Sequence, residues 1–159
     1  NITYANNERI LLNEVLHSVV VLHTGYDQVA LRYEKPVDKM EVFADKTQLN
    51  RLFTNLVQNA MQAIPAERKG EIHISTLRQD GFVTVLIQDN GEGIPEDIQP
   101  NIFTPNFTTK SSGTGLGLAM SKNIVEQAYG EIWFETRENT GTTFFVKFPL
   151  VGEEGEGDV

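Results

Sequence analysis

The sequence predicts an α+β domain: a two-layer α/β sandwich with a mixed sheet and helices on one face. Predicted helices alternate along the chain with short segments whose apolar residues alternate, which is typical of strands. Two of these segments are joined by Gln79-Asp80-Gly81, a β-hairpin signal that makes part of the sheet antiparallel. The chain has 159 residues and a mass of 17.8 kDa, the size of one hydrophobic core.

The first half of the chain is predicted to hold two helices and two strands. Apolar residues at mixed helical spacings predict an amphipathic helix over most of residues 8–24. Alternation predicts strands over residues 29–33 and 40–44. Asp45 is a suitable N-cap for a second helix over residues 46–64, which Pro65 ends.

The second half is predicted to hold four strands and one helix. In chain order these are strands 72–77 and 82–89, a helix over 116–129, and closing strands 131–135 and 143–148. Gly130 is placed at the C′ position of the helix, and Asn139-Thr140-Gly141 is the last turn. Residues 90–113 form a long connection rich in glycine and proline, and connections of that length are usually functional or mobile.

The charge of the chain excludes two classes of partner. Thirteen Lys and Arg residues stand against 22 Asp and Glu residues, which gives a formal net charge of −9. Surfaces that bind nucleic acid or anionic membranes need a dense cationic face, so neither nucleic acid nor direct membrane contact is expected. A polyanion bound here would have to be held by a metal, backbone amides and a few placed cations.

The two ends of the chain are predicted to lie outside the domain. Residues 152–159 are expected to be a disordered acidic tail. The chain begins without Met at a polar segment, so we interpret it as a fragment in which residues 1–7 end a linker and residues 8–151 form the domain. There is no cysteine and no apolar run of about 20 residues, which is consistent with a cytoplasmic location.

The second predicted helix carries a stripe of side-chain amides beside its apolar stripe. At spacings of seven, four and three residues, the stripe contains Gln48, Asn55, Asn59 and Gln62. An ordinary solvated helix face is one interpretation. The other is that amide oxygens bind a hard cation such as Mg²⁺, which prefers oxygen ligands.

The segment Asp89-Asn90-Gly91-Glu92-Gly93-Ile94-Pro95 follows a predicted strand. Asp-Asn-Gly is a common turn, and a plain turn is one interpretation. Alternatively, Gly91 and Gly93 let a ligand approach the backbone, and Asp89 accepts a hydrogen bond from an exocyclic amine.

A glycine-rich segment, Ser111-Ser112-Gly113-Thr114-Gly115-Leu116-Gly117-Leu118, opens the third predicted helix. Exposed amides at a helix N-terminus favour phosphate binding. The spacing matches neither the dinucleotide-binding motif nor the P-loop, and a chance glycine-rich loop is the alternative. Just before it, Phe103 and Phe107 are either anchors of a lid or local packing, and Lys110 is a lone cation within reach of a terminal phosphate.

Taken together and in this order, four segments resemble the ATP-binding catalytic domain of sensor histidine kinases. They are the N box NLVQNAMQAI (55–64), the G1 box DNGEGIP (89–95), the F box IFTPNFTTK (102–110) and the G2 box GTGLGL (113–118). The resemblance implies the Bergerat fold of the GHKL superfamily, which also contains DNA gyrase, heat-shock chaperone and mismatch-repair ATPases. The TPNFTTK segment, and Gln62 where many sensor kinases carry Lys, are most similar to the nitrogen-regulation branch.

The resemblance implies ATP and Mg²⁺ as cofactors and gives the boxes their roles. Asn55 and Asn59 would hold Mg²⁺, Asp89 would accept from the adenine amine, and Lys110 would neutralise γ-phosphate charge during transfer. Thr142 or Thr143 would support Asp89 through water, and residues 103–112 would be the ATP lid. The remaining ATP-binding positions are Gln62, Ala63, Gly91, Gly93, Ile94, Phe103, Thr109, Ser112, Gly113, Thr114, Gly115, Leu116, Gly117 and Leu118.

One position separates the branches of this superfamily. The ATP-hydrolysing relatives carry Glu as a general base four residues before the metal-binding Asn, and here that position is Asn55, which is not a base. The resemblance therefore implies phosphoryl transfer to a histidine of the protein's own, missing dimerisation domain, which would pass the group to a response regulator. His17, His23 and His73 are not followed by the acidic residue typical of the acceptor. A nucleotide-binding pseudokinase and a GHKL-type ATPase are the alternative functions.

Overall fold

A computed structural model describes residues 5–105 and 117–152 of the chain. Along these ranges the helices and strands, with one short 3₁₀ helix at Gln99–Asn101, follow in the order β1 (Glu8–Leu11), α1 (Leu12–Leu22), β2 (Val29–Tyr33), β3 (Glu41–Ala44), α2 (Lys46–Gln62), β4 (Gly70–Gln79), β5 (Phe82–Asp89), α3 (Gly117–Gln127), β6 (Glu131–Arg137) and β7 (Gly141–Pro149).

The main sheet is mixed and has five strands in the order β2-β4-β5-β7-β6. Strand β2 runs parallel to β4, and the remaining neighbours are antiparallel. Strands β1 and β3 form a separate antiparallel pair. Alternate residues of β5 and β7, among them Val85 and Val146, are buried in one core with the helices. The predicted two-layer α/β sandwich is confirmed.

The opposite face of the main sheet carries the residues that alternate along the strands with the buried ones. There Trp133 is 37% exposed and stacks on Phe145, with ring centroids 5.2 Å apart. Lys147 Nζ lies 4.5 Å from the centroid of the Phe82 ring. The helices therefore cover one face only.

Helix α2 begins where the sequence predicts. The carboxylate of Asp45 accepts a hydrogen bond from the backbone N–H of Gln48 at 3.2 Å, so Asp45 is the N-cap. The helix ends at Gln62, two residues before the predicted end at Ile64. The α conformation is disfavoured for a residue before proline, and Ile64 precedes Pro65.

The helix predicted over most of residues 8–24 is confirmed, and it begins after residues 8–11. Residues 8–11 form strand β1, which pairs with β3 from Glu8 opposite Ala44 to Leu11 opposite Glu41. Pairing buries Ile10, which is 7% exposed, against a strand about thirty residues away. Tertiary pairing overrides local helical spacing here, and only Leu12–Leu22 is helical.

Helix α3 ends at Gln127, two residues before the predicted end, and its C′ residue lies one position earlier than predicted. Gly130 N–H bonds to Val125 O at 2.9 Å and Tyr129 N–H to Glu126 O at 3.0 Å, which is the Schellman pattern. The C′ residue is therefore Tyr129, with a φ of 61°, and Gly130 follows it. Glycine is needed at 130 because a Cβ there would collide with the backbone carbonyl of Lys147.

Both predicted turns of the sheet are confirmed. Asp80 and Gly81 have φ values of 54° and 83°, as the two-residue type I′ hairpin requires. Asn139 has a φ of 63° in the turn between β6 and β7. Strand β7 starts at Gly141, two residues earlier than predicted, so Thr142 belongs to the sheet.

Two further expectations concern the ends of the chain and membrane-spanning helices. The predicted tail, apart from Gly152, lies outside the described residues, as do residues 1–4. Across ranges 5–105 and 117–152, the helices fall short of the length and apolarity needed to cross a membrane.

Candidate functional site

The centre of the candidate site is Asp89, the last residue of β5. Its side chain is buried, and its Oδ1 atom accepts two backbone hydrogen bonds, from Gly91 N at 2.8 Å and from Thr142 N at 3.3 Å. Burial raises the pKa of Asp89 to about 6, while the two N–H donors act to lower it. A buried carboxylate at a strand end is therefore held in place by one of its oxygens.

The loop after Asp89 packs against the end of helix α2. The backbone N–H of Glu92 donates to Ala63 O at 2.9 Å. A Cβ on Gly91 would lie 2.5 Å from the same carbonyl oxygen, so only glycine allows this approach. The structure thus brings together Ala63 and Asp89, as the sequence predicts.

Two side chains with no predicted site role hold this loop, that of Arg68 from outside it and that of Asn90 from within it. One terminal nitrogen of Arg68 donates to Asn90 O at 2.6 Å and to Gly91 O at 2.8 Å. The Asn90 side chain accepts from Glu71 N at 2.8 Å and donates to Lys69 O at 3.0 Å. Asn90 was part of a predicted turn, and nothing in the sequence distinguishes Arg68 from other surface cations.

The other side of the loop rests on the β6–β7 turn. The backbone N–H of Ile94 donates to Thr136 Oγ1 at 2.9 Å, and Asn139 N–H donates to Glu92 O at 2.6 Å. Gly93 lies directly against the carbonyl of Arg137. Thr136 was also missed. The sequence does contain a signal for it, because a polar residue two positions after Phe134 lies on the core side of β6.

The geometry distinguishes Thr142 from Thr143. Thr142 lies directly opposite Asp89 in the β5–β7 ladder and is 5% exposed. Thr143 is opposite Gln88 and Glu135, and therefore on the other face of the sheet. Thr142 is the threonine beside Asp89, and its Oγ1 lies 2.8 Å from Thr136 Oγ1.

Asn55 and Asn59 lie one turn apart on α2, on the predicted amide face. The Nδ2 atoms of both are buried without a hydrogen-bond partner in the described part of the chain. Unused donors of this kind suit a ligand rich in oxygen, such as a phosphate, while the Oδ1 atoms of the same amides suit Mg²⁺.

A metal ion at this site would need ligands besides the side chains of the protein. Within residues 5–105 and 117–152, no group of three or more His, Cys, Asp or Glu residues is placed to hold a metal ion. The donor set therefore fits a magnesium ion that takes further oxygen ligands from a bound phosphate and water. It does not fit an ion held by protein carboxylates alone.

Phe103 is a packing residue at the described start of the predicted lid. Its ring centroid lies 5.9 Å from that of Phe134 and 6.4 Å from that of Phe144. Lys122 Nζ lies 5.9 Å from the Phe103 ring centroid. This packing is compatible with both interpretations that the sequence left open for Phe103, since an anchor of a lid is also packed against the core.

The remaining predicted site residues are divided between two groups. Gln62 is the last residue of α2, Gly117 begins α3, and Leu118 is buried in the core. The others lie outside the described residues: Phe107, Thr109, Lys110, Ser112, Gly113, Thr114, Gly115 and Leu116.

The histidines occupy structural or surface positions, as predicted. His23 is buried, with Nδ1 2.8 Å from Val19 O. His73 Nε2 lies 2.6 Å from a Glu34 carboxylate oxygen, and His17 is exposed.

Comparison with known proteins gives a consistent result. A family model described as histidine kinase-, DNA gyrase B-, and HSP90-like ATPase matches residues 44–152. An NtrY-like sensor histidine kinase of Rickettsia felis is 33% identical over 136 residues, which is 86% of this chain and 23% of the relative. The sensor histidine kinase ZraS of Escherichia coli is 39% identical over 123 residues, 77% of this chain and 26% of the relative. The chain therefore spans about a quarter of the length of these two relatives.

Solved structures support the same assignment. The catalytic domain of histidine kinase ThkA is 35% identical, with a TM-score of 0.79, and the match covers 91% of this chain and 95% of that one. A structure of ThkA in complex with the response regulator TrrA is 33% identical, with a TM-score of 0.74, and the match covers 91% of this chain and 42% of that one. The NtrY-like relative loosely supports the predicted likeness to the nitrogen-regulation branch.

Proposed function

The chain belongs to the family of histidine kinase-, DNA gyrase B- and HSP90-like ATPases, and we propose that it is the ATP-binding catalytic domain of a two-component sensor histidine kinase. In this proposal the domain positions Mg-ATP so that the γ-phosphoryl group passes to a histidine on a separate dimerisation domain. The observation that carries the proposal is the buried Asp89 carboxylate, set among Ala63, Gly91 and Thr142 in a family of nucleotide-binding domains.

Asp89 is suited to recognise the adenine amine. Both backbone donors bond to Oδ1, and among the described residues none bonds to Oδ2. Oδ2 is therefore a hydrogen-bond acceptor in a partly desolvated position, where a bond to an N–H group is strong. Ala63, Gly93 and Ile94 would line the base.

The phosphates would lie between α2 and the glycine-rich start of α3. Asn55 and Asn59 would hold the magnesium ion through Oδ1 and leave Nδ2 to donate to phosphate oxygens. Mg²⁺, when bound, neutralises negative charge on the phosphates. Lys110 and the amides of Gly113, Gly115 and Gly117 complete the proposed phosphate site, with Gln62, Thr109, Ser112, Thr114, Leu116 and Leu118 around it.

Asn55 directs the chemistry away from hydrolysis. A water molecule attacking the γ-phosphate is helped by a general base, and an amide cannot accept that proton. Transfer to a histidine requires positioning and charge neutralisation instead. The acceptor would belong to the kinase's own dimerisation domain, and a response regulator would receive the group next, as the ThkA–TrrA complex suggests. The proposed location is the cytoplasm.

Titration with ATP in the presence and absence of Mg²⁺ tests this function. We expect Mg²⁺ to tighten binding to the wild-type domain and Asn59→Ala to abolish that tightening. Asn50→Ala is a matched control, because Asn50 is on α2 and its amide already donates to Lys46 O. An Asn59→Ala domain whose affinity still responds fully to Mg²⁺ would contradict the proposed metal site.

A second measurement separates the kinase from its two alternatives. The domain is mixed with labelled ATP and a separately produced dimerisation domain of a sensor kinase. Transfer of label to histidine supports the kinase. Tight binding without transfer indicates a pseudokinase, and steady release of phosphate at gyrase-like rates indicates an ATPase.

A further inference from the structure

Thr136 connects three segments of the proposed adenine pocket through one hydroxyl group. Its Oγ1 accepts from the backbone N–H of Ile94 at 2.9 Å and donates to Gly141 O at 3.2 Å. The same oxygen lies 2.8 Å from Thr142 Oγ1. None of the sequence motifs includes Thr136, and the proposed function assigns it no role.

All three contacts can be hydrogen bonds at the same time in one arrangement only. A hydroxyl has one proton and two acceptor sites. The Ile94 N–H can only donate, so it takes one acceptor site of Thr136, and the Gly141 carbonyl can only accept, so it takes the proton. In that arrangement the 2.8 Å contact with Thr142, in which either oxygen could be the donor, uses the proton of Thr142.

In this arrangement the Thr142 hydroxyl has only lone pairs left for a ligand. Thr142 lies directly opposite Asp89 in the β5–β7 ladder, so its side chain is on the same face of the sheet as that carboxylate. Two hydrogen-bond acceptors therefore stand side by side. An amino group has two N–H donors and satisfies both, directly or through a water, whereas a carbonyl oxygen in the same place satisfies neither.

We propose that Thr136 is a positioning residue that makes the nucleotide site selective for 6-amino over 6-oxo purines, by orienting the Thr142 hydroxyl as an acceptor. The inference rests on the proposed function, since it concerns how that site recognises the purine of the nucleotide. With valine at 136, the Thr142 hydroxyl is free to rotate and to donate to a 6-oxo group. Selectivity is then lost through Thr142 without any contact between Thr136 and the base.

Affinities for ATP and inosine triphosphate (ITP), which carries a 6-oxo purine, test the inference in the whole chain. We expect the preference for ATP over ITP to fall roughly tenfold in Thr136→Val, the value of about one hydrogen bond. Thr136→Ser keeps the hydroxyl and keeps the preference. Thr143→Val, on the opposite face of β7, is the matched control and leaves the preference unchanged.

A double-mutant cycle tests whether Thr136 acts through Thr142. Thr142→Val alone should lower the preference by a similar factor, and adding Thr136→Val should lower it no further. If Thr136→Val does not fold, Thr136→Ser and Thr142→Val still decide, because serine must retain the preference and Thr142→Val must lose it. Equal weakening of ATP and ITP by Thr136→Val would overturn the inference and leave only a structural role.

The failure of this inference can be told from the failure of the proposed function. A wild-type chain that binds ATP and ITP equally overturns the selectivity but leaves the function standing. A wild-type chain that binds neither overturns both. Amide hydrogen exchange at Ile94 reports the hydrogen bond from its N–H to Thr136 Oγ1 without any nucleotide. Exchange should be faster in Thr136→Val than in the wild type and unchanged in Thr136→Ser. Equal exchange rates in these three proteins would show that this hydrogen bond does not protect Ile94, which would overturn the inference.

Discussion

A methyl group on Gly141 would collide with the backbone carbonyl oxygen of Asp89. The first residue of β7 and the last residue of β5 therefore touch backbone to backbone, at the point where the Asp89 carboxylate turns into the pocket. This contact ties the position of the proposed adenine acceptor to the start of the last strand.

Gly141→Ala should destabilise the domain and weaken ATP binding together, because the alanine Cβ forces β7 away from Asp89. Gly25→Ala is the control: its φ of 96° is also in the left-handed region, but a Cβ there meets nothing within 4 Å. The control should lose only the free energy of unfolding that backbone strain costs, about 1–2 kcal/mol. Urea unfolding of both variants measures the difference, and equal losses would show that the collision has no cost.

Asp89→Asn should weaken ATP binding roughly tenfold to a hundredfold, which is the value of a hydrogen bond to a charged acceptor. Isothermal titration calorimetry with ATP measures the loss. Asp97→Asn removes the same charge from an exposed residue of the same connection and should bind like the wild type. Unchanged affinity in Asp89→Asn would contradict adenine recognition by this side chain.

The same substitution should stabilise the domain without nucleotide, in a manner that depends on pH. Burial raises the pKa of Asp89 from 3.8 to about 6, so the folded state disfavours the charged form. The stabilising contribution of Asp89 is fully present below pH 3.8 and is lost as the pH rises through about 6. At pH 7 the loss is at most about 3 kcal/mol.

Unfolding free energies of the wild type and Asp89→Asn, measured between pH 4 and pH 7.5, check this sign. The advantage of Asp89→Asn should be small at the acid end and should increase through about pH 6. ATP affinity of the wild type should change in the opposite direction, decreasing as the pH falls through the same range, because protonation removes the charged acceptor. A stability difference that does not vary with pH would show that the carboxylate is not desolvated.

Arg68→Ala should loosen the Asp89–Gly91 turn, because it removes the guanidinium nitrogen that donates to the carbonyls of both Asn90 and Gly91. We expect ATP binding to weaken by roughly tenfold, and Arg68→Lys to recover part of it. Lys69→Ala removes a neighbouring exposed cation and should change little. If Lys69→Ala weakens ATP binding as much as Arg68→Ala, the effect comes from net charge and not from these hydrogen bonds.

Sequence patterns predicted well those elements that pair with a neighbour in the chain or whose apolar residues alternate regularly. Strand β5 coincides with its predicted range because alternation is clean and the Asp80-Gly81 turn fixes the register. Residues 8–11 were not recognised as a strand because their strand character comes from pairing with β3, which no local pattern reveals.

The same distinction applies to the candidate site. Asp89, Gly91 and Ala63 were predicted because they lie inside recognisable motifs. Arg68 and Thr136 were not, because each acts on a loop more than twenty residues away in the sequence. Such residues become visible only when the hydrogen bonds of the loop are traced in three dimensions.

The closure of the last two strands on β5 has a kinetic consequence. Asp89 and Thr142 are 53 residues apart, and the hydrogen bond between them joins a central strand to the last one. Long-range pairing of this kind forms slowly, since a large loop must close before any contact compensates for the lost chain entropy. The proposed purine pocket is therefore complete only once β7 has paired with β5, and ATP binding can be used to follow that pairing.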